Sequence, residues 1–109
     1  MLYINFPYPE VYEGSGFVAR AYSRDGTTAN TPTTARYRID CLTSGQVIKN
    51  WTTLTPAASM NITVTGADNA LKDQSNDYEM RQVTVEEDSG IDTQTRASGV
   101  YRVKNLGGF

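Results

Sequence analysis

Apolar and polar residues alternate in short segments along most of this chain, and turn-forming residues separate the segments. Over residues 35–42 the period of two sets Ala35, Tyr37, Ile39 and Cys41 on one side of an extended strand and Arg36, Arg38 and Asp40 on the other. The same period sets Met60, Ile62 and Val64 against Asn61 and Thr63, Val83 and Val85 against Thr84 and Glu86, and Tyr101 and Val103 against Arg102 and Lys104. In each strand the apolar side is expected to face a core, because that is how a pleated sheet removes those side chains from water. Residues 16–22, bounded by Gly14-Ser15-Gly16 and Asp25-Gly26, predict a further strand, and residues 46–51 another. There the adjacent Val47 and Ile48 break the alternation, which predicts a bulge or burial on both faces.

About seven segments at this spacing, with a Trp in the third or fourth, predict an all-β fold. The expected form is an immunoglobulin-like or fibronectin-like antiparallel β-sandwich of about seven strands rather than a closed barrel. Trp51 is expected between the two sheets, beside Cys41 and the row from Val83 to Val85. Thr43-Ser44-Gly45 and Asp88-Ser89-Gly90 read as turns, and residues 27–33, small and polar, as an exposed connection. Residues 67–77 hold three aspartates and two asparagines with only Leu71 clearly apolar, and read as a solvated loop with room for one short helical turn. If the strands within 79–87 and 95–105 are neighbours, Thr84 and Glu86 lie near Arg102 and Lys104, where each opposite-charge pair contributes about 0.2–1 kcal/mol.

The 109 residues fit one domain that buries roughly two thirds of the surface its unfolded chain exposes. Ten basic residues against twelve acidic ones leave a net charge of −2, so neither nucleic acid nor an anionic membrane is expected as a partner. No apolar run approaches the roughly 18 residues that span a bilayer. Residues 1–12 lack the basic start, apolar stretch and small-residue cleavage site of a secretory signal, and none is expected. Cys41 is the only cysteine, which excludes an internal disulfide and suits maturation in a reducing compartment. Asn50-Trp51-Thr52 and Asn61-Ile62-Thr63 match the glycosylation pattern, and without a signal both read as chance matches.

Candidate chemistry is sparse. The chain has no histidine, which removes the Ser-His-Asp and Cys-His nucleophile pairs together with the commonest metal ligand. Cys41, in phase with Tyr37 and Ile39, reads as a small core residue. Glu86, Glu87, Asp88 and Asp92 crowd together in sequence, as the paired carboxylates of a glycosidase would, but acids at a strand end and its turn read first as a solvated corner. Asp68, Asn69, Asp73, Asn76 and Asp77 offer the oxygens calcium takes without the glycine and bidentate acid of an EF-hand, and read as an acidic loop with no ion. Gly14-Ser15-Gly16 precedes a strand and suits a hinge or bulge, not a phosphate loop. No catalytic residue, metal site or cofactor is expected, and the chain reads as non-enzymatic.

Residues 1–12 read as an extended arm in front of a single sandwich domain of residues 13–109. Tyr3, Phe6, Tyr8 and Tyr12 fall within these twelve residues, interspersed with Pro7 and Pro9. Aromatics anchor interfaces and prolines keep a segment extended, so the arm either lies across a neighbouring subunit or covers an open edge of its own sandwich. Phe109, after Leu106-Gly107-Gly108, is a second candidate anchor. The candidate partner-binding residues are Tyr3, Phe6, Tyr8, Tyr12 and Phe109.

The succession Ala35-Arg36-Tyr37-Arg38-Ile39-Asp40, Thr43-Ser44-Gly45, Trp51-Thr52-Thr53-Leu54-Thr55-Pro56, Met60-Asn61-Ile62-Thr63-Val64, Glu79-Met80-Arg81-Gln82-Val83-Thr84-Val85 and Tyr101-Arg102-Val103-Lys104-Asn105-Leu106 resembles small proteins encoded among the structural genes of tailed bacteriophages. The resemblance covers about residues 16–106. It implies an immunoglobulin-like virion component that decorates or reinforces the head, bound to the major capsid protein or to copies of itself and oligomeric in the virion. Such a component, assembled in the bacterial host cytoplasm, needs neither signal nor disulfide. Repetition over a symmetric shell would let a weak contact act collectively. Two other readings stand beside it: a tail or fibre module that recognises a cell-surface glycan through exposed aromatics and the 68–77 loop, and a tail or head-to-tail completion protein.

Overall fold

The computed structural model of the protein describes residues 2–25, 28–88 and 94–106. Those residues form nine strands: β1 (Leu2–Asn5), β2 (Glu10–Tyr12), β3 (Phe17–Asp25), β4 (Thr28–Ala29), β5 (Thr34–Cys41), β6 (Val47–Leu54), β7 (Ser59–Val64), β8 (Tyr78–Asp88) and β9 (Gln94–Lys104). In one sheet β3 is central, and its Ala21 faces Ile4 of β1 on one side and Met60 of β7 on the other. The short β4 folds back on the far end of β3. The second sheet runs β2-β9-β8-β5-β6. All pairings are antiparallel except β2 with β9, which is parallel.

The inward rows make one core. Ala19 and Ala21 of β3 and Ile62 and Val64 of β7 join Tyr37 and Ile39 of β5, Val83 and Val85 of β8, and Tyr101 and Val103 of β9 in a single buried cluster. Two sheets meeting through one such core make the fold sandwich-like, and the apolar sets expected to face inward in β5, β7, β8 and β9 do so. Cys41 is buried in phase with Ile39, as its position in the alternation requires. The turn at Thr43-Ser44-Gly45 is present: Gly45 takes φ 76°, a left-handed value that side chains disfavour, and its N–H donates to the Cys41 carbonyl at 2.8 Å.

Several expectations are corrected. Among the described residues there are nine strands, not about seven: to the six segments placed from the alternation, the first twelve residues add β1 and β2, and a two-residue β4 follows β3. Of the two places expected for the arm, it takes the edges of its own sandwich: β1 joins one sheet, the chain crosses at Pro7 to Pro9, and β2 joins the other. Trp51 does not plug the core. A bulge is present where the alternation breaks, since β6 holds an extra residue between the partners of Tyr37 and Ile39 and again between those of Ile39 and Asp40. With Leu54 opposite Ala35 and Thr52 opposite Tyr37, Trp51 falls on the outer side, where Arg36 lies 4.1 Å from the ring centroid. The strands of 79–87 and 95–105 are neighbours, but Glu86 faces Arg96 rather than Arg102 or Lys104, because the pairing runs on to Tyr78 opposite Lys104.

Phe6 fastens the crossover. Its ring meets Phe17 edge-on at 6.0 Å and Tyr101 at 5.7 Å, while Phe17 and Tyr101 meet at 4.9 Å. It fits because β9 carries Gly99 beneath it; a β-carbon there would fall 2.3 Å from Cε2 of Phe6. Gly99→Ala should destabilise by about 1–3 kcal/mol through overpacking, and Phe6→Ala by about 3 kcal/mol, the low end for a ring only half enclosed. In urea titrations the double variant should lose less than the two single losses added, because removing the ring removes the clash.

Candidate interaction surface

The outer face of the five-stranded sheet is ordered by register into cross-strand rows. At one end Tyr12, Lys104 and Tyr78 stand side by side on β2, β9 and β8. Next come Glu10, Arg102 and Met80, then Val100, Gln82, Asp40 and Val47. Ser98, Thr84 and Arg38 follow, and the row of Arg96, Glu86, Arg36 and Thr53 lies beyond them. Each row follows from the alternation that turns Tyr101, Val103, Val83 and Val85 inward.

The two ends differ in chemistry. At the far end the carboxylate of Glu86 is held between Arg36, whose Nη2 lies 2.7 Å away, and Arg96, and the Arg36 guanidinium also covers Trp51. The hydrogen bond from Arg96 holds the Glu86 carboxyl below its ordinary range against the opposing effect of burial, with Arg36 adding to it. Cations, anion and ring satisfy one another there, leaving little that is unmet. At the near end Tyr12 and Tyr78 are 55% and 48% exposed. Arg102 lies over the Tyr78 ring at 5.2 Å and pairs with Glu10. Lys104 makes no ion pair with any described residue. Glu10, Asp77, Tyr78, Arg102 and Lys104 line a shallow cavity of about 240 Å³. Exposed tyrosines on a rigid sheet beside an unneutralised cation are the groups that anchor protein contacts at low entropic cost.

The loop that closes this end is not simply solvated, because Asn69 and Leu71 are buried. Arg81, fully buried, donates from Nη1 to the Asp68 carbonyl at 2.6 Å and from Nη2 to the Ala70 carbonyl at 2.8 Å and to Glu79 at 2.6 Å. Glu79 accepts from the N–H groups of Lys72 and Asp73 at 3.0 Å and from the Asn76 amide. The Tyr101 hydroxyl donates to Asn69 at 2.7 Å, and burial pushes its pKa up. Asp68 accepts from the Thr65 N–H, and Asp73 from Ser75. Of the oxygens that suggested calcium, those of Asp68 and Asp73 accept from the loop and its flank and that of Asn69 from Tyr101, and among the described residues no three His, Cys, Asp or Glu side chains are grouped to hold a metal ion. Cys41 points its sulfur at Glu79, 3.7 Å away. At the opposite end Glu87 turns inward and accepts from Ser23 at 2.9 Å, so the acids of the strand end divide between the two faces.

The aromatics of the arm are not brought together. Tyr3 stacks on Tyr22, 5.1 Å between centroids, on the outer side of the other sheet. Phe6 is core packing, Tyr8 is exposed on the crossover, and Tyr12 alone enters the row described above. Phe109 lies outside the described residues. Tyr78 and Lys104 were missed as partners of Tyr12, although the alternation that turns Tyr101 and Val103 inward turns Lys104 outward. Compared with known families, curated proteins and solved structures, the chain matches none.

Burial raises the pKa of the Glu79 carboxyl, but the Lys72 N–H, the Arg81 guanidinium, the Asp73 N–H and the Asn76 amide outweigh it and hold the group at about 2. The folded value lies below the ordinary 4.5, so this contribution is complete above that value and fades as pH falls towards 2. Glu79→Gln should cost about 3–5 kcal/mol at neutral pH, because it strands the buried charge of Arg81. Urea midpoints followed from about pH 5 down to about pH 2 should fall less steeply in the variant than in the wild type.

Proposed function

We propose that this chain is a non-enzymatic protein-binding module with an immunoglobulin-like arrangement of its strands. The first strand divided between the two sheets, its second half parallel to the last strand, and the order β9-β8-β5-β6 beyond it support that arrangement. One observation carries the functional reading: the row Tyr12, Lys104 and Tyr78 presents two exposed rings beside a cation that makes no ion pair with any described residue. Elsewhere the buried ionisable groups Glu79, Arg81, Glu86 and Glu87 each bond another part of the fold.

Within that reading the resemblance to tailed-bacteriophage structural proteins makes the module a head-decoration or head-associated protein, with the major capsid protein as its partner. The patch then seats on the shell, and Tyr8 on the adjoining crossover extends it. The glycan-binding reading used exposed aromatics together with the acidic loop, where Asp68 and Asp73 already accept hydrogen bonds within the fold, and no observation favours it over a protein partner.

Mass spectrometry of gradient-purified particles produced from the genome that encodes this chain is the test. Hundreds of copies per particle are expected for a decorated shell; a handful would indicate a ring at the head-to-tail joint, and absence would overturn the virion assignment. The exposed pair Tyr12→Ala/Tyr78→Ala should fold normally and lower occupancy on heads lacking the protein by about thirtyfold, as loss of interface anchors worth about 2 kcal/mol requires. Unchanged occupancy would remove this patch from the contact.

A further inference from the structure

β1 and β7 are the long edges of one sheet, and β2 and β6 those of the other. Three of these are blunted. β1 and β2 are four and three residues long and flank Pro7 and Pro9. β6 carries two register shifts and Lys49. Short length, proline, bulges and lysine are the devices that keep edge strands from recruiting new partners. β7 has none of them: Ser59 to Val64 is uncharged and pairs with β3 without a shift. Its outward backbone N–H and C=O groups meet no hydrogen-bonding group among the described residues.

The opposing sheet extends past this edge. β1 and β2 lie on the side where the chain crosses between sheets, so counting from there β1-β3-β7 stops short of the end of β2-β9-β8-β5-β6. Burial agrees with the count. Tyr37 and Ile39 on the inner side of β5 are 5% and 0% exposed, whereas Thr52 and Lys49, their partners on β6, are only half-buried. Ala57 packs on the core near the Ser59 end, and Lys49 reaches Asp68 at 3.6 Å near the Val64 end. Between them an unpaired strand edge stands above a half-covered sheet.

We propose that this slot takes one extended segment of another polypeptide, which adds to β7 as an antiparallel strand and covers the inner side of β6. Backbone pairing supplies the attachment, and alternate apolar side chains of the segment turn towards Thr52 and Ile48. A charged inward residue is disfavoured, since Asp68 already neutralises Lys49. A whole second copy cannot enter through its own β7, because the two projecting β6 strands would claim the same space. The slot does not depend on the tyrosine patch, which lies on the opposite face of the five-stranded sheet.

The probe is a capped synthetic peptide of residues 57–66 of this chain. Antiparallel pairing centred on Ile62 sets Met60 against the peptide's Val64, and Asn61 against its Thr63, with inner and outer faces matched. Added at about 1 mM to the isotope-labelled chain, it should slow hydrogen exchange of the outward β7 amides at least about tenfold. The exposed variant Thr63→Lys, which faces Val18 on β3, should keep its thermal melt and prefer a peptide bearing Glu at the matching position over one bearing Lys by about fivefold. Protection of β6, β1 or β2 instead of β7, no protection, equal binding of the two peptides, or dimers of the whole chain joined at β7 would each overturn the proposal.

Discussion

The pairing of β8 with β9 is the constraint on which the other elements depend. Eleven residues of each strand face one another from Tyr78 opposite Lys104 to Asp88 opposite Gln94. A slip of one residue would turn Tyr101 and Val103 out to water and draw Arg102 and Lys104 into the core, a loss of several kcal/mol from apolar burial alone. The hydrophobic term therefore selects this register, and the register passes to β5 through β8 and to β2 through β9. The exposed rows of the outer face are the complement of the buried rows. Tyr12, Lys104 and Tyr78 stand together because Val11, Val103 and Glu79 are buried behind them.

Buried polarity completes what apolar burial leaves loose. An Arg–Glu pair with no exposure is a poor source of net stability, since desolvation offsets most of the attraction. Arg81 and Glu79 instead act as a pin, with backbone carbonyls of Asp68 and Ala70 on one group and backbone N–H groups of Lys72 and Asp73 on the other. A loop of eleven residues with one clear apolar side chain could not hold its place by packing. These charge-assisted bonds fix it against the end of the sheet, beside Tyr78 and Lys104. The tyrosine patch thus borders a loop held by electrostatics and a strand pair held by hydrophobic burial. Both constraints suit a surface that keeps its shape before contact.

Much of the fold was legible in the chain, and the misses share a cause. Alternation identified β5, β7, β8 and β9 with their inward faces, because side-chain direction in a strand is a local property. The break at Val47 and Ile48 located the bulge. What the bulge does to Trp51 was not legible, since the face a residue takes after a bulge depends on its neighbour's register. Glu86 could not be assigned to Arg96 without knowing where the β8–β9 turn lies. Asn69 falls in a segment that reads as solvated, whereas the alternation that buries Val83 and Val85 also turns Glu79 and Arg81 inward; what the sequence does not show is the set of partners that makes burying them tolerable.

By itself the sequence determined the all-β class, the inward rows and the absence of histidine chemistry, all of which follow from residue identity and a period of two. Only the tertiary structure decided that the aromatic arm is divided between two sheets, that Phe6 closes the core over Gly99 and that Tyr12 stands beside Lys104 and Tyr78. It likewise decided that β7 has an edge that no described strand pairs. The physical reason is the same in each case. Alternation specifies which way a side chain points, but which strands become neighbours, and so which side chains meet, is settled by the joint burial of both sheets.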